Sequence, residues 1–349
     1  MGKPMQTPTR QDLDALLDAL RDTPAMRSKV SIQAPAAALA ENVSLSRDEL
    51  YALPGDDTAA IRCGDHYQLL AIEGMIPRFV EQAPWFAGWS AVMANVSDIT
   101  AMGGRATAVV NAYWHHDAAC ADQVLGGIRA ACRAYGLVLA GGHTSQAPGN
   151  PAALAVAITG MAKRLLSTLH VAPGQTLALA VDLNGKWHAD TPYWKAFEQA
   201  PSEVLRSKLN VLPALAEVGL LHAAKDISNA GLLGTLLMLL EPTGCGAEID
   251  LDLLPRPADG DLLRWLLAFP SYGFLITLNP QDWDQVQAAF AQQGLSCARV
   301  GSINTSARLD VCKAGQVATF WDLASTPFTG FTYPTSNANQ VSTAVPQEH

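Results

Sequence analysis

The sequence is short of positive charge: 23 Lys and Arg stand against 32 Asp and Glu, a net charge of −9. Without a basic stripe nothing neutralises a phosphate backbone, so no nucleic-acid partner is expected and the acidic surface points to small solutes or proteins. Long apolar runs are also missing. No segment reaches the length of a membrane span, and the opening MGKPMQTPTRQDLDALL lacks the apolar core of a signal peptide, so a cytoplasmic protein with no membrane partner is expected. Paired cysteines are absent too. Cys63, Cys120, Cys132, Cys245, Cys297 and Cys312 stand singly with no C-x-x-C spacing, which argues against zinc knuckles and dithiol redox chemistry and leaves reduced, mostly buried thiols.

What remains is globular. Hydrophobic residues make up 49% and charged residues 16% of 349 positions, more chain than one core ordinarily serves, so two domains are expected. Leu13, Leu16, Leu17 and Leu20 at helical spacing predict an amphipathic helix over 10–21. The Ala- and Pro-containing stretch after it, to Ala40, reads as flexible. Strands are then predicted at Tyr67–Ile72, Ala106–Tyr113, Leu137–Ala140 and Leu154–Thr159, and helices at Gly88–Met102 and Ala121–Tyr135, the second closed by Gly136. Pro173-Gly174 marks the best place to divide the chain, giving an N-terminal domain over 41–170 and a C-terminal domain over 174–325. In the second, Thr176–Val181, Ala247–Leu251, Phe274–Leu278, Ala298–Ile303 and Arg308–Cys312 read as strands, and 202–218, Asn229–Leu240 and Gln281–Gln293 as helices. From Thr326 to 349 the polar composition predicts a tail. Strands and helices mix in both halves, which favours α+β or α/β domains.

Four separated elements carry chemistry. Gly55-Asp56-Asp57 forms a Gly-led turn ahead of a strand, where carboxylates can point off a sheet edge, although Gly-Asp turns are common on surfaces. In 89–102, Asn95, Asp98 and Met102 share a helical face, and Asp98 is the one charged side chain on an otherwise apolar helix. Such a carboxylate is costly to desolvate unless something positive meets it, and a bound cation would answer that cost. Gly141-Gly142-His143-Thr144 follows a short apolar strand, where backbone N–H groups can reach a phosphate or ribose; a plain tight turn is the alternative. Asp226 and Ser228 precede an apolar helix, either as its cap or as part of an anion site at its start. Carboxylates and glycines are what Mg²⁺ and a nucleotide triphosphate need from a protein.

The ordered set GDD-A-A, Ala94-Asn95-Val96-Ser97-Asp98-Ile99-Thr100-Ala101-Met102-Gly103-Gly104, GGHT and Asp226-Ile227-Ser228 resembles the superfamily of aminoimidazole ribonucleotide (AIR) synthase. That superfamily includes thiamine-phosphate kinase, selenophosphate synthetase and a hydrogenase-maturation dehydratase. The resemblance spans roughly 45 to 315. It implies a PurM-like two-domain α+β architecture: a ferredoxin-like N-terminal sheet that pairs with a second copy in an intersubunit barrel, a mixed C-terminal α/β domain, and a nucleotide cleft beside that second domain. It further implies ATP and Mg²⁺ as cofactors, Asp56, Asp57, Asp98 and Asp226 as metal ligands, and Asn95, Gly141, Gly142 and His143 as nucleotide contacts. Gly55, Thr144 and Ser228 join the nucleotide set by position.

Departures narrow the choice of member. Ala71-Ile72-Glu73-Gly74 stands where thiamine-phosphate kinase has a Thr-Asp pair, so by the resemblance Glu73 is a further metal-ligand candidate, on a longer arm. The first cysteine, Cys63, comes too late for selenophosphate synthetase. The expected activity is ATP- and Mg²⁺-dependent phosphorylation, or activation by phosphorylation, of a small metabolite by a homodimer. Such catalysis rests on positioning and charge neutralisation. Lys29, in an Arg27-Ser28-Lys29 segment read as mobile, is a candidate to close over the phosphates, and Lys186 and His188 are candidates for the substrate site. The alternative is a nucleotide-binding subunit without turnover in a larger assembly.

Overall fold

In the computed structural model, residues 10–40, 51–52, 54–147, 149–258 and 260–332 are described. The chain opens with helices α1 (Arg10–Arg21), α2 (Pro24–Val30) and α3 (Gln33–Ala40). α1 buries Leu13, Leu17 and Leu20, as its spacing predicts. The stretch read as flexible is helical instead: Thr23 accepts the Met26 N–H, Pro24 supplies a preset φ at N1, and Met26 is buried.

Next come β1 (Ala59–Cys63), β2 (His66–Met75), α4 (Pro77–Gln82), α5 (Pro84–Ala101), β3 (Arg105–His115), α6 (Ala118–Tyr135), β4 (Val138–Gln146) and β5 (Ala153–Ala162). The strands form one sheet in the order β1-β2-β5-β3-β4, antiparallel except for β3 against β4. Alternation along β5 sends Leu154, Val156 and Ile158 into the core under α5 and α6. α5 is apolar all round because it is buried almost throughout. Glycines let the two helices touch: a Cβ at Gly88 would lie 2.0 Å from the Val124 carbonyl oxygen, and one at Gly127 2.0 Å from that of Trp85. α6 starts on Asp117, whose side chain accepts the Cys120 N–H at 2.8 Å, and ends on Gly136 at φ +73°.

The opposite face of this sheet is bare. Ile61, Leu70, Ile72, Val110, Trp114 and Met161 are all exposed, and register places Ile72, Ala157 and Val110 in one row across three strands.

After a connection carrying a single turn at Thr168–His170, the second unit contains β6 (Thr176–Val181), β7 (Lys186–Trp187), β8 (Tyr193–Lys195), α7 (Ser202–Leu209), α8 (Val211–Glu217), β9 (Ala223–Asp226), α9 (Gly231–Leu240), β10 (Gly246–Asp250), α10 (Leu262–Leu266), β11 (Phe269–Pro270), β12 (Gly273–Leu278), α11 (Trp283–Gln292), β13 (Ser296–Asn304), β14 (Arg308–Lys313) and β15 (Gln316–Asp322). Seven strands run β15-β14-β10-β13-β6-β12-β9, and β11-β8-β7 makes a small third sheet. Both faces of the large sheet are covered, so β6 and β12 are buried at every residue. Leu177, Leu179 and Leu275 face the α9 side, whereas Ala178, Ala180 and Phe274 face α8 and α11.

Two expectations are corrected here. The predicted single helix over 202–218 is two, because Pro213 has no N–H for the Leu209 carbonyl and α7 stops at Asn210. In the segment from Thr326, residues 328–331 are packed, while 333–349 lie outside the described residues. Phe328 is fully buried, and the Glu241 carboxylate accepts N–H bonds from Phe328 (2.7 Å), Thr329 (2.9 Å) and Gly330 (3.1 Å). Phe331 then covers Gly55, where a Cβ would sit 2.4 Å from its ring.

Candidate active site

Three elements from distant parts of the chain bring carboxylates together. The turn before β1 supplies Asp57, the buried helix α5 supplies Asp98, and the C-terminal end of β9 supplies Asp226. One oxygen from each lies within 4.8 Å of the others, the one such group among the described residues. Lys225, the neighbour of Asp226 on β9, pairs its ammonium with Asp57, and both side chains are at most 5% exposed. The Asp226 N–H also reaches Asp57 Oδ2 at 3.4 Å. A cavity of about 350 Å³ opens from this floor, lined by Asp98, Asp226, Glu73, Lys29 and Ser228 among others.

Burial dominates the electrostatics. It pushes the carboxyls of Asp57, Glu73, Asp98 and Asp226 above the ordinary carboxylate range. Mutual repulsion adds to this: Asp226 acts on Asp98, and Asp57 acts on Asp226. Burial alone would lower the Lys225 ammonium, but Asp57 and Asp56 more than reverse it. Lys29 is lowered by burial and by Lys225, with Glu73 opposing. The neighbourhood thus holds more buried carboxylates than ammonium groups. A hard divalent cation, which takes oxygen ligands, fits this donor set.

The other candidate residues divide. Glu73 on β2, Lys29 on α2 and Ser228 line the same cavity; Lys29 sits in an ordered helix rather than a mobile segment. Ser228 caps nothing: its hydroxyl is buried without a hydrogen-bond partner. Asp56, read as a ligand, turns away, its Oδ2 accepting from Ser167 Oγ (2.6 Å) and the Thr168 N–H (3.2 Å). Asn95, read as a nucleotide contact, is fully buried and ties α5 to β5 through the Val156 carbonyl at 2.9 Å. Gly55 supplies the turn at φ +98° and its carbonyl to Lys225.

Gly141, Gly142, His143 and Thr144 do not form a turn after the strand; they continue it as edge strand β4. Gly142 is needed there because a Cβ would meet the Asn111 carbonyl oxygen at 2.4 Å. Three strand spacings separate β4 from the strand of Glu73, about 14 Å, so this run lies outside the cavity. Lys186 is exposed on β7, also outside it. His188 packs on the Phe86 ring at 4.6 Å, and burial lowers its pKa.

Lys225 was not singled out from the sequence, yet it left a signal. A lysine between Ala223-Ala224 and Asp226-Ile227 in an apolar strand must be buried, and a buried ammonium requires carboxylates.

Comparison with known proteins agrees with this layout. Residues 55–162 match the model of the AIR synthase related protein N-terminal domain, and 174–312 that of the C-terminal domain. An uncharacterized protein of Synechocystis sp., sll0787, is 44% identical over 80% of this chain and 86% of its own length. The selenide, water dikinase of Aeromonas hydrophila is 30% identical over 71% of this chain and 83% of its own. Among solved structures, AaThiL complexed with AMPPCP and TMP superposes with a TM-score of 0.59 at 18% identity, covering 80% of this chain and 92% of that one. The fold is the two-domain, PurM-like one.

Proposed function

Because the chain belongs to the AIR synthase-related family, we propose that it is an ATP- and Mg²⁺-dependent enzyme that phosphorylates, or activates by phosphorylation, a small metabolite. The observation that carries this reading is the Asp57, Asp98 and Asp226 cluster, with oxygens within 4.8 Å, two of whose members, Asp98 and Asp226, line a cavity also walled by Lys29. When bound, Mg²⁺ and ATP supply charge neutralisation and the transferable phosphoryl group. Asp57, Asp98 and Asp226 hold the cation. Among the described residues at the cavity, Lys29, half-buried in its wall, is placed to turn toward phosphate oxygens, because Lys225 is committed to Asp57 and Lys195 to Glu198. Burial and Lys225 lower the pKa of Lys29, and Glu73 partly opposes them.

The bare face of the first sheet supports a homodimer, since a contiguous apolar patch on a sheet of this kind is covered in most stable proteins. Gly141–Thr144, on the edge of that face, would meet nucleotide only across the pair. The test is ADP release in the presence of Mg²⁺ and a metabolite pool, together with calorimetry of ATP with and without Mg²⁺. ATP affinity that ignores Mg²⁺ would remove the carboxylate-cluster reading. Tight Mg·ATP binding with no ADP released under any acceptor would leave a non-catalytic nucleotide-binding subunit in its place.

A further inference from the structure

We propose that the end of the cavity remote from the carboxylates is the acceptor subsite and that it takes a planar, uncharged aromatic or heteroaromatic ring. This deepens the phosphoryl-transfer reading and rests on it for the word acceptor, but the ring subsite itself stands on separate observations.

One wall of the cavity is a single stripe of α5: Phe86, Ser90, Ala94 and Asp98 recur every four residues and all line it. At 1.5 Å per residue, Ser90 lies about 12 Å and Phe86 about 18 Å along the helix from Asp98. The polarity changes along that length. Around Phe86 the walls are Phe79, Tyr193, Trp194, Phe197 and Phe269. Phe79 meets Phe86 edge-on at 5.4 Å and Tyr193 at 5.4 Å, and Tyr193 meets Phe269 at 6.2 Å. Phe86, Trp194 and Phe197 are buried, whereas Phe79, Tyr193 and Phe269 keep accessible surface. Aromatic walls of this kind favour stacked or edge-on planar rings over saturated ones of equal size.

Ser90 gives the subsite its polar atom. It is 5% exposed, and its hydroxyl has no hydrogen-bond partner. A helical serine or threonine ordinarily bonds back to the fourth preceding carbonyl, as Thr100 does to Val96 at 2.8 Å in this same helix. Ser90 makes no such bond and faces the cavity, so its hydroxyl is available to a ring nitrogen or a ring substituent. The charges nearby are already satisfied. Lys195 pairs with Glu198 and stands 5.4 Å over the Phe86 ring, and among the described residues lining the cavity the carboxylates are Glu73, Asp98 and Asp226, at the other end, which disfavours a cationic ring here.

Three probes test this by ligand-observed NMR titration at millimolar concentration: 3-(hydroxymethyl)pyridine, benzyl alcohol and cyclohexylmethanol. The two aromatic probes are expected to bind about tenfold more tightly than the saturated one. Ser90→Ala should weaken the pyridine about tenfold more than it weakens benzyl alcohol, and Tyr193→Leu should erase the aromatic preference, both with Mg·ATP affinity unchanged. Equal binding of all three probes overturns the proposal. A fall in Mg·ATP affinity in Ser90→Ala, with probe binding intact, also overturns it, since the ring accommodated would then be the nucleotide's base. If the aromatic preference holds while the wild-type protein binds no Mg·ATP, the phosphoryl-transfer reading fails and the ring subsite survives.

Discussion

Asp98→Asn separates a ligand from a structural carboxylate. Asp98 makes no ion pair with either ammonium in the cluster: Lys225 is bonded to Asp57, and Glu73 is the foremost carboxylate acting on Lys29. Its charge is opposed by burial and by Asp226, Glu73 and Asp57. Neutralising it in the metal-free protein should therefore not lower the melting temperature. Removing Lys225 should. Lys225→Met strands Asp57, a loss of about 3–5 kcal/mol for one partner of a buried pair. With an unfolding entropy of ~2.1 cal/mol/K per residue, the 349-residue chain has about 0.7 kcal/mol/K, so that loss is a fall of about 4–7 °C. In the wild type, Mg²⁺ at a hundredfold excess over its dissociation constant adds about 2.7 kcal/mol, or about 4 °C. Differential scanning calorimetry in EDTA and in Mg²⁺ reads both effects. The expected pattern is an Asp98→Asn variant with an unlowered EDTA melt and no Mg²⁺ gain, and a Lys225→Met variant with a low EDTA melt. An Asp98→Asn protein that melts 4–7 °C early in EDTA, yet keeps its Mg²⁺ gain, refutes the assignment.

The pH dependence has a definite sign. Asp57, Glu73, Asp98 and Asp226 have folded-state pKa values raised by burial, so the folded protein binds more protons than the unfolded one above the ordinary range near 4. Their contribution to stability then falls as pH rises. The melting-temperature gap between Mg²⁺ and EDTA should widen from about pH 4 upward, and a constant gap would contradict this. Leu70→Glu and Ile72→Arg, at exposed positions, should leave stability within about 0.5 kcal/mol but convert a dimer to a monomer in light scattering. Phe328→Ala, at a fully buried ring, should cost about 3–5 kcal/mol and open residues 326–332 to limited proteolysis.

The carboxylates of the cluster were legible because each sits in a local pattern that survives without its partners: a Gly-led acidic turn, a lone charge on an apolar helix, and an acid ahead of an apolar helix. Which of Asp56 and Asp57 faces inward was not legible. Adjacent residues point to opposite sides of a turn, and Ser167, 111 positions away from Asp56, decides the matter. Leu137–Ala140 was visible as a strand, but its continuation through Gly141 and Gly142 depends on pairing with Val110 and Asn111 of β3, which no periodicity encodes. β7, β8 and β11 are two or three residues long, too short for alternation to register. The polar composition after Thr326 concealed Phe328, whose docking depends on Glu241, 87 residues earlier.

That docking also orders events in time. The acidic turn at Gly55 leaves the ribosome early, but the ring that covers it belongs to Phe331, and the ammonium that neutralises Asp57 belongs to Lys225. At about 5–20 residues per second, the 276 residues between Gly55 and Phe331 take roughly 15–55 s to synthesise. During that interval the N-terminal sheet can pack its own core under α5 and α6, but its most acidic corner has neither its ammonium nor its covering ring. A nascent chain halted before Lys225 thus lacks both the ammonium that pairs with Asp57 and the Asp226 carboxylate of the cluster.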